Sequence, residues 1–171
     1  MSKSTFRDFL KRKQINISVQ TYLIDALGAM AFGLFASLLI GTIFATLGDK
    51  THIEIFTTIS TYAKSATGAA LGVSIAYALK APTLVLFSAA TVGIAGNELG
   101  GPVGALVATI IATELGKLVS KETPVDILVT PGITITSGVL ASQFVGPGVS
   151  AFMTAFGNLV KTATVMQPLF M

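Results

Sequence analysis

Cysteine is absent from this chain of 171 residues, and histidine occurs once, as His52. Without cysteine the chain can form no disulfide and has no thiol chemistry. A single histidine argues against a multi-histidine metal site and against a histidine-based catalytic triad within one chain. We therefore expect no metal site, no other cofactor and no set of catalytic residues.

Charged residues are also scarce, and long uncharged runs take their place. Charged residues make up 11% of the chain, against about 25% in soluble domains. This is too few to cover a surface that faces water. Apolar residues reach 52%, and the mean hydropathy is +0.79. Residues 26–47 carry no charge and are long enough for a membrane-crossing helix of roughly 20 residues. Further apolar segments lie at about 53–79, 81–96, 102–119, 127–145 and 149–171.

These segments predict an all-α fold: a polytopic integral membrane helix bundle with about five to six transmembrane helices and short loops. Residues 1–19 would form a basic amphipathic N-terminus, either a short helix on anionic lipid or an unstructured tail. Residues 20–171 would form the transmembrane domain. With the N-terminus in the cytoplasm, the outer side receives only Lys50, which fits the excess of cations inside. The inner cations are then Lys3, Arg7, Lys11, Arg12, Lys13, Lys80, Lys117 and Lys121.

Small residues recur every four positions in the apolar segments. The first segment contains Gly33 and Gly41 in such a row, and the second contains Gly68 and Gly72. Residues four apart share one helix face, and small faces let membrane helices approach closely. The rows therefore predict a tight bundle with several close crossings.

Several ionisable groups lie within or beside the apolar segments, where they need a partner or a cavity. Asp25 and Lys80 are both predicted near the inner membrane surface, and we expect a structural ion pair between them rather than a transport role. Glu114 and Lys117 are three residues apart, which favours an intrahelical pair but leaves a role in binding open.

Two lysines are harder to explain by pairing. Lys64 and Lys161 each lie more than two turns from the nearest predicted helix end, farther than a lysine can reach to water. Asn158 shares a polar stripe with Lys161. The stripe is consistent with a water-filled path, and equally with a lateral interface to another chain or to a missing part of this one.

The stretch AGNELGGPVGA (95–105) interrupts the apolar sequence with Asn97 and Glu98. Its glycines permit a sharp turn, and Pro102 suits the first position of the following helix. The stretch is either a broken, re-entrant segment lining a polar cavity or a tight outer turn whose Glu98 faces water. A second helix break is expected at Pro131, within Thr130-Pro131-Gly132.

Four stretches together carry a family resemblance: DALGAMAFGLFASLLIGTI (25–43), ALKAPTLVLFSAATVGIAGNELGGPVGA (78–105), TELGKLVSKETPVDILVTPG (113–132) and GNLVKTATVMQPLFM (157–171). They resemble the membrane subunit IIC of the bacterial sugar phosphotransferase system. Within that family they are similar to its compact branch, often encoded as a stand-alone membrane protein. The chain resembles the N-terminal half of those longer proteins.

The resemblance implies a permease of the bacterial plasma membrane that carries a sugar inward and presents it to a cytoplasmic subunit, IIB, which donates the phosphoryl group. We also expect a homo-oligomer or a missing C-terminal half; membrane lipid and a small-molecule substrate are the other partners, and nucleic acid is not expected. The resemblance supplies no residue roles. From the chemistry above, the candidate substrate-binding residues are Asn97, Glu98, Lys64, Glu114, Asn158 and Lys161.

Two other functions remain open on the sequence alone. One is an ion-coupled transporter or channel for another small solute, without phosphoryl chemistry. The other is a membrane sensor or scaffold that transports nothing and pairs through its small-residue faces.

Overall fold

Every described element of the computed structural model is helical, which confirms the all-α membrane bundle. The structure describes residues 9, 11–13, 15 and 18–166, with side chains up to residue 162. Three helices are long and apolar enough to cross a membrane: Gln20–Thr51, Thr83–Val119 and Asp126–Thr162 within a helix that continues to Met166. The elements are α1 (Gln20–Thr51), α2 (Glu54–Ser65), α3 (Thr67–Ala78), α4 (Thr83–Val119) and α5 (Asp126–Met166).

Helices α2 and α3 together run antiparallel to α1. A Cβ built on Gly41 would lie 2.8 Å from the Cγ atom of Lys64, and one built on Gly33 would lie 2.9 Å from the carbonyl oxygen of Ala70. Two helices replace the single segment expected over 53–79. Near the break, the Thr67 hydroxyl donates to the carbonyl oxygen of Lys64 at 2.7 Å. Such side-chain hydrogen bonds compete with the helical ladder, and this one adjoins the interruption at Ala66.

Helix α4 is a hairpin of two helical arms, residues 83–100 and 102–119. Gly101 has φ 63° and ψ −164°, outside the helical region, and Pro102 follows it directly. This confirms the sharp turn predicted from the glycines. The arms lie against each other: a Cβ on Gly96 would stand 2.7 Å from the Cα atom of Ala105. Each arm is about 27 Å long at 1.5 Å per residue, close to the thickness of a bilayer's hydrocarbon core.

Helix α3 packs closely on the first arm of α4. A Cβ on Gly68 would stand 2.7 Å from the Cα atom of Ile94, and one on Gly72 would stand 3.0 Å from the Cα atom of Gly93. Backbone therefore meets backbone along this crossing. Around it lies the main apolar core, made of Ala26, Leu71, Ile75, Leu79, Ala105 and Leu106.

Helix α5 continues through two positions where breaks were expected, so both expectations are wrong. Pro131 and Pro147 lie inside the helix, and the segments predicted at 127–145 and 149–171 form one continuous helix as far as Met166. A proline within a helix removes one backbone hydrogen bond and crowds one carbonyl group, and membrane helices accommodate this by local adjustment. Gly146 and Gly148 flank Pro147 and add no Cβ to that crowding.

The two parts of α5 differ in their surroundings. Residues 126–146 pack along both arms of α4: a Cβ on Gly138 would stand 2.9 Å from the Cβ atom of Ala112, and one on Gly146 would stand 2.8 Å from that of Leu99. Residues 150–162 are all exposed. The second part thus projects past the tip of the α4 hairpin.

Candidate functional site

A small cavity of about 280 Å³ lies between the tip of the α4 hairpin and the projecting part of α5. The tip approaches α5 closely, because a Cβ on Gly100 would stand 3.1 Å from the Cα atom of Gly146. The turn at Gly101 ends one helical arm, and a helix end leaves carbonyl groups without an intrahelical partner. The side-chain polar groups of its lining are the hydroxyls of Ser150 and Thr154, and the Thr154 hydroxyl donates to the Ser150 carbonyl oxygen at 2.9 Å. Its lining residues are Gly100, Gly101, Pro102, Val103, Ser150, Met153 and Thr154.

Asn97 and Glu98 lie in the last turn of the first arm, within one turn of this cavity. Asn97 is half-buried and Glu98 is exposed. Asn158 and Lys161 are exposed on the projecting part of α5. Asn158 lies one turn beyond Thr154, which lines the cavity. Asn97, Glu98 and Asn158 thus each lie about one helical turn from a residue that lines the cavity.

Glu114 lies at the other end of the second arm. The Nζ atom of Lys117 is 3.1 Å from the Glu114 Oε1 atom, which is the intrahelical pair that the spacing indicated. Lys117 is 1% exposed, so the pair is largely withdrawn from solvent. Tyr22 of α1 also interacts with the Glu114 carboxylate.

Lys64 lies apart from both of these places. It is exposed near the end of α2, and its aliphatic stem rests against Gly41 of α1. The six candidate residues therefore fall into three locations: the hairpin tip with the projecting helix, the opposite end of α4, and the α1–α2 contact.

The expected ion pair between Asp25 and Lys80 is not present among the described residues. Asp25 is exposed, and its Oδ1 atom accepts a hydrogen bond from the Gln20 amide at 3.5 Å. Lys80 instead lines a cavity. The two residues do lie at the same end of the bundle, as their similar predicted depth in the membrane indicated. A shared depth does not mean that the two side chains face each other.

That second cavity, which we call the basic cavity, has a volume of about 620 Å³. It lies where the α3–α4 turn, the loop after α4 and the N-terminal segment meet. Lys13 joins two of these parts, because its Nζ atom is 2.6 Å from Glu122 Oε1. This contact lowers the pKa of the Glu122 carboxyl below its ordinary value, through the hydrogen bond first and the charge second. The lining residues are Arg12, Lys13, Lys80, Pro82, Lys117, Ser120, Lys121 and Glu122.

Sequence reasoning missed two features. It predicted these cations on one side of the membrane but did not predict that they line one cavity. Their positions at the turns between helices were the signal that could have indicated it. It also missed Thr109 and Thr113, which are fully buried on the second arm of α4. Within the described part of the chain their hydroxyls have no hydrogen-bond partner. Their spacing of four residues, which places them on one helix face, was the available signal.

Comparison with known proteins identifies the family. No match was found among curated proteins or among solved structures. Residues 24–171 match a family model described as "Phosphotransferase system, EIIC", a region that takes in nearly all of α1 and every later helix. The chain therefore belongs to this family: it is a multi-pass membrane protein and the permease subunit of a phosphotransferase system, which works with that system's cytoplasmic components.

Proposed function

We propose that this permease subunit carries a sugar across the bacterial plasma membrane and that its cytoplasmic partner is subunit IIB. Membership of the EIIC family over residues 24–171 is the observation that carries the proposal. The chain has no cysteine and only His52, which we predict on the outer side. The phosphoryl carrier is therefore expected on the partner protein.

The proposed orientation places the N-terminus in the cytoplasm. Five cations surround the basic cavity at one end of the bundle. Lys50 lies in the last turn of α1, at the other end. Cytoplasmic surfaces of membrane proteins carry the excess of lysine and arginine, which supports assigning the end with the basic cavity to the cytoplasm.

The proposed solute site is the cavity at the hairpin tip. Its volume of about 280 Å³ is close to the lower end of the roughly 300–1,000 Å³ typical of ligand pockets. A carboxylate accepts hydrogen bonds from sugar hydroxyls, and an amide both donates and accepts them. Glu98 and Asn97 lie within one turn of this cavity, and Asn158 lies one turn beyond its edge. We assign these three residues to sugar binding; the other candidates, Lys64, Glu114 and Lys161, lie away from this cavity and have no defined contact with it.

We also propose that a further membrane segment covers the polar stripe on α5. Asn158 and Lys161 are exposed on a helix with a mean hydropathy of 1.4 in its most apolar window. Phe152, Phe156 and Leu159 are also exposed on this segment, and an exposed apolar surface of this kind marks an interaction site. The segment would come from a second copy of this chain or from a separate C-terminal half.

A single cysteine at position 158 distinguishes these two sources. The chain contains no cysteine, so Asn158→Cys introduces a unique thiol. If a second copy covers the stripe, mild oxidation in membranes gives a disulfide-linked dimer of the chain. If another polypeptide covers it, a bifunctional thiol-to-amine reagent gives a larger adduct and no such dimer. A thiol that reacts freely with lipid-phase reagents and gives neither product would contradict the proposal.

Transport is tested in proteoliposomes that contain the purified protein and a panel of labelled sugars. The proposal predicts accumulation of sugar phosphate only when phosphorylated IIB is supplied on the cytoplasmic side. Uptake that follows an ion gradient without IIB would instead support the ion-coupled transporter. Unphosphorylated IIB is the matched control, because it preserves any docking but supplies no phosphoryl group.

A further inference from the structure

The basic cavity brings charges of one sign together at one end of the bundle. Five of its eight lining residues are cations, contributed by three separate parts of the chain, and Glu122 is the one carboxylate among them. A volume of about 620 Å³ lies within the roughly 300–1,000 Å³ of ordinary ligand pockets. The cations therefore surround a space that can hold a small anionic group.

Two of the five cations already have carboxylate partners. Lys13 pairs with Glu122 at 2.6 Å, and Lys117 pairs with Glu114 at 3.1 Å. The other three, Arg12, Lys80 and Lys121, are exposed. No carboxylate of the described residues lies within 4.0 Å of their charged groups. The cavity therefore keeps an excess of positive charge, although Glu122 also interacts with Arg12 and Asp126 with Lys121.

The backbone holds two of these three cations in an uncommon conformation. Lys80 has φ 56° and Lys121 has φ 63°, in the left-handed region that favours glycine. At Lys80 the turn closes through a hydrogen bond from the Ala81 N–H to the Ala76 carbonyl oxygen at 3.0 Å. Each such residue costs roughly 1–3 kcal/mol relative to a relaxed conformation. Both positions where the chain adopts this conformation beside the cavity carry a lysine.

The start of α4 adds a favourable dipole. Pro82 lines the cavity and directly precedes Thr83, where the helix begins. The first turn of a helix presents unpaired N–H groups and the positive end of the helix dipole, which together favour anions. A phosphate group suits a cavity with several cationic donors better than a carboxylate does, because it has more acceptor oxygens.

We infer that the basic cavity binds a phosphate group, with Arg12, Lys80 and Lys121 as its direct partners and Lys117 as a buried supporting charge. Two sources present this chemistry: the headgroup of an anionic phospholipid and a soluble phosphate monoester. The inference does not depend on the transported solute being a sugar. It assigns a binding role to the end of the bundle opposite the hairpin tip.

The experiment uses the full chain in nanodiscs of neutral phosphatidylcholine. One arm titrates glycerol 3-phosphate and measures binding by calorimetry. The other replaces part of the lipid by phosphatidylglycerol and measures the midpoint of thermal unfolding by circular dichroism. The test variant is Lys80→Gln with Lys121→Gln. Lys50→Gln removes one positive charge at a lysine outside the cavity and serves as the control.

Wild type and Lys50→Gln are expected to respond alike in at least one arm. The double variant should lose about tenfold in affinity for each lysine replaced, because a charge-assisted hydrogen bond is lost in each case. A response to phosphatidylglycerol alone identifies the lipid headgroup, and a response to glycerol 3-phosphate identifies a soluble monoester. Should the double variant fold poorly, Lys80→Arg with Lys121→Arg keeps the charges and must retain binding. No response in either arm, or an equal response by the double variant, overturns the inference.

Discussion

The close crossing of α3 and α4 makes a quantitative prediction for Gly68→Ala. The new Cβ would stand 2.7 Å from the Cα atom of Ile94 and 3.0 Å from the carbonyl oxygen of Gly93, whereas ordinary contacts begin at 3.4 Å. Both obstacles are backbone, so no side chain can rotate away. The first arm of α4 must retreat by about 0.7 Å, and a gap of that size forfeits roughly a quarter to a half of the dispersion energy along the contact.

Overpacking of this kind costs about 1–3 kcal/mol, and the better helix propensity of alanine offsets up to about 1 kcal/mol of it. We expect a net loss of about 1–2 kcal/mol and a fall in melting temperature of about 2–8 °C. The measurement is thermal unfolding in detergent followed by circular dichroism. Gly28→Ala is the matched control, since nothing lies within 4 Å of its new Cβ, and it should leave the melting temperature unchanged or raise it. Equal melting temperatures for the two variants would refute the packing argument.

Three further predictions concern polar groups. Glu98→Gln should weaken sugar binding about tenfold without changing the melting temperature, because Glu98 is exposed; unchanged affinity in calorimetry would remove it from the site. Thr113→Val should leave the free energy of unfolding unchanged or raise it by about 1 kcal/mol, because it removes a hydroxyl without a partner among the described residues. Thr134→Val should lower it by about 1 kcal/mol, because it removes the hydrogen bond to the Thr130 carbonyl oxygen at 2.8 Å. Unfolding curves that rank the two variants in the opposite order would contradict this. Lys13 lowers the pKa of Glu122, so their contact should hold the N-terminal segment in place at neutral pH and weaken as the pH falls through that lowered pKa. Limited proteolysis of the segment should therefore become faster at low pH. A rate that does not change with pH, or that is the same for Glu122→Gln at neutral pH, would count against this.

The sequence was sufficient to predict the features that depend on composition and local sterics. The membrane environment follows from the scarcity of charge, and the turn at Gly101 follows from two glycines before Pro102. Both depend on properties that neighbouring segments cannot override: the transfer energy of a charge and the space around a backbone without Cβ. The gathering of Lys80, Lys117 and Lys121 at one end follows in the same way from the positive-inside pattern.

Features that depend on how helices face each other were less accessible. The break at Ala66 lies where hydroxyls compete with the helical ladder, and serine and threonine produce that effect only in some contexts. The sequence predicts separate segments at 127–145 and 149–171, with Pro147 between them, yet a proline removes only one bond of a long helix. Asp25 and Lys80 reached the same end of the bundle without facing each other, because spacing along a helix gives depth but leaves the direction of a side chain to tertiary packing.

The glycine contacts between α3 and α4 also bear on where this permease can move. At Gly72 and Gly93 the two backbones are in contact with no side chain between them. One helix cannot slide along the other there, because no side chain can change its rotamer to make room. These two helices should travel as one body during transport. Rearrangement is then expected elsewhere, where the α-helical ladder is interrupted or altered: at Ala66, at Gly101, at the two prolines of α5, and at the π-helical turns Gln20–Asp25 and Phe35–Leu39 of α1. Alternation between inward and outward access would then use hinges at such positions, with the packed pair of α3 and α4 moving as a rigid unit.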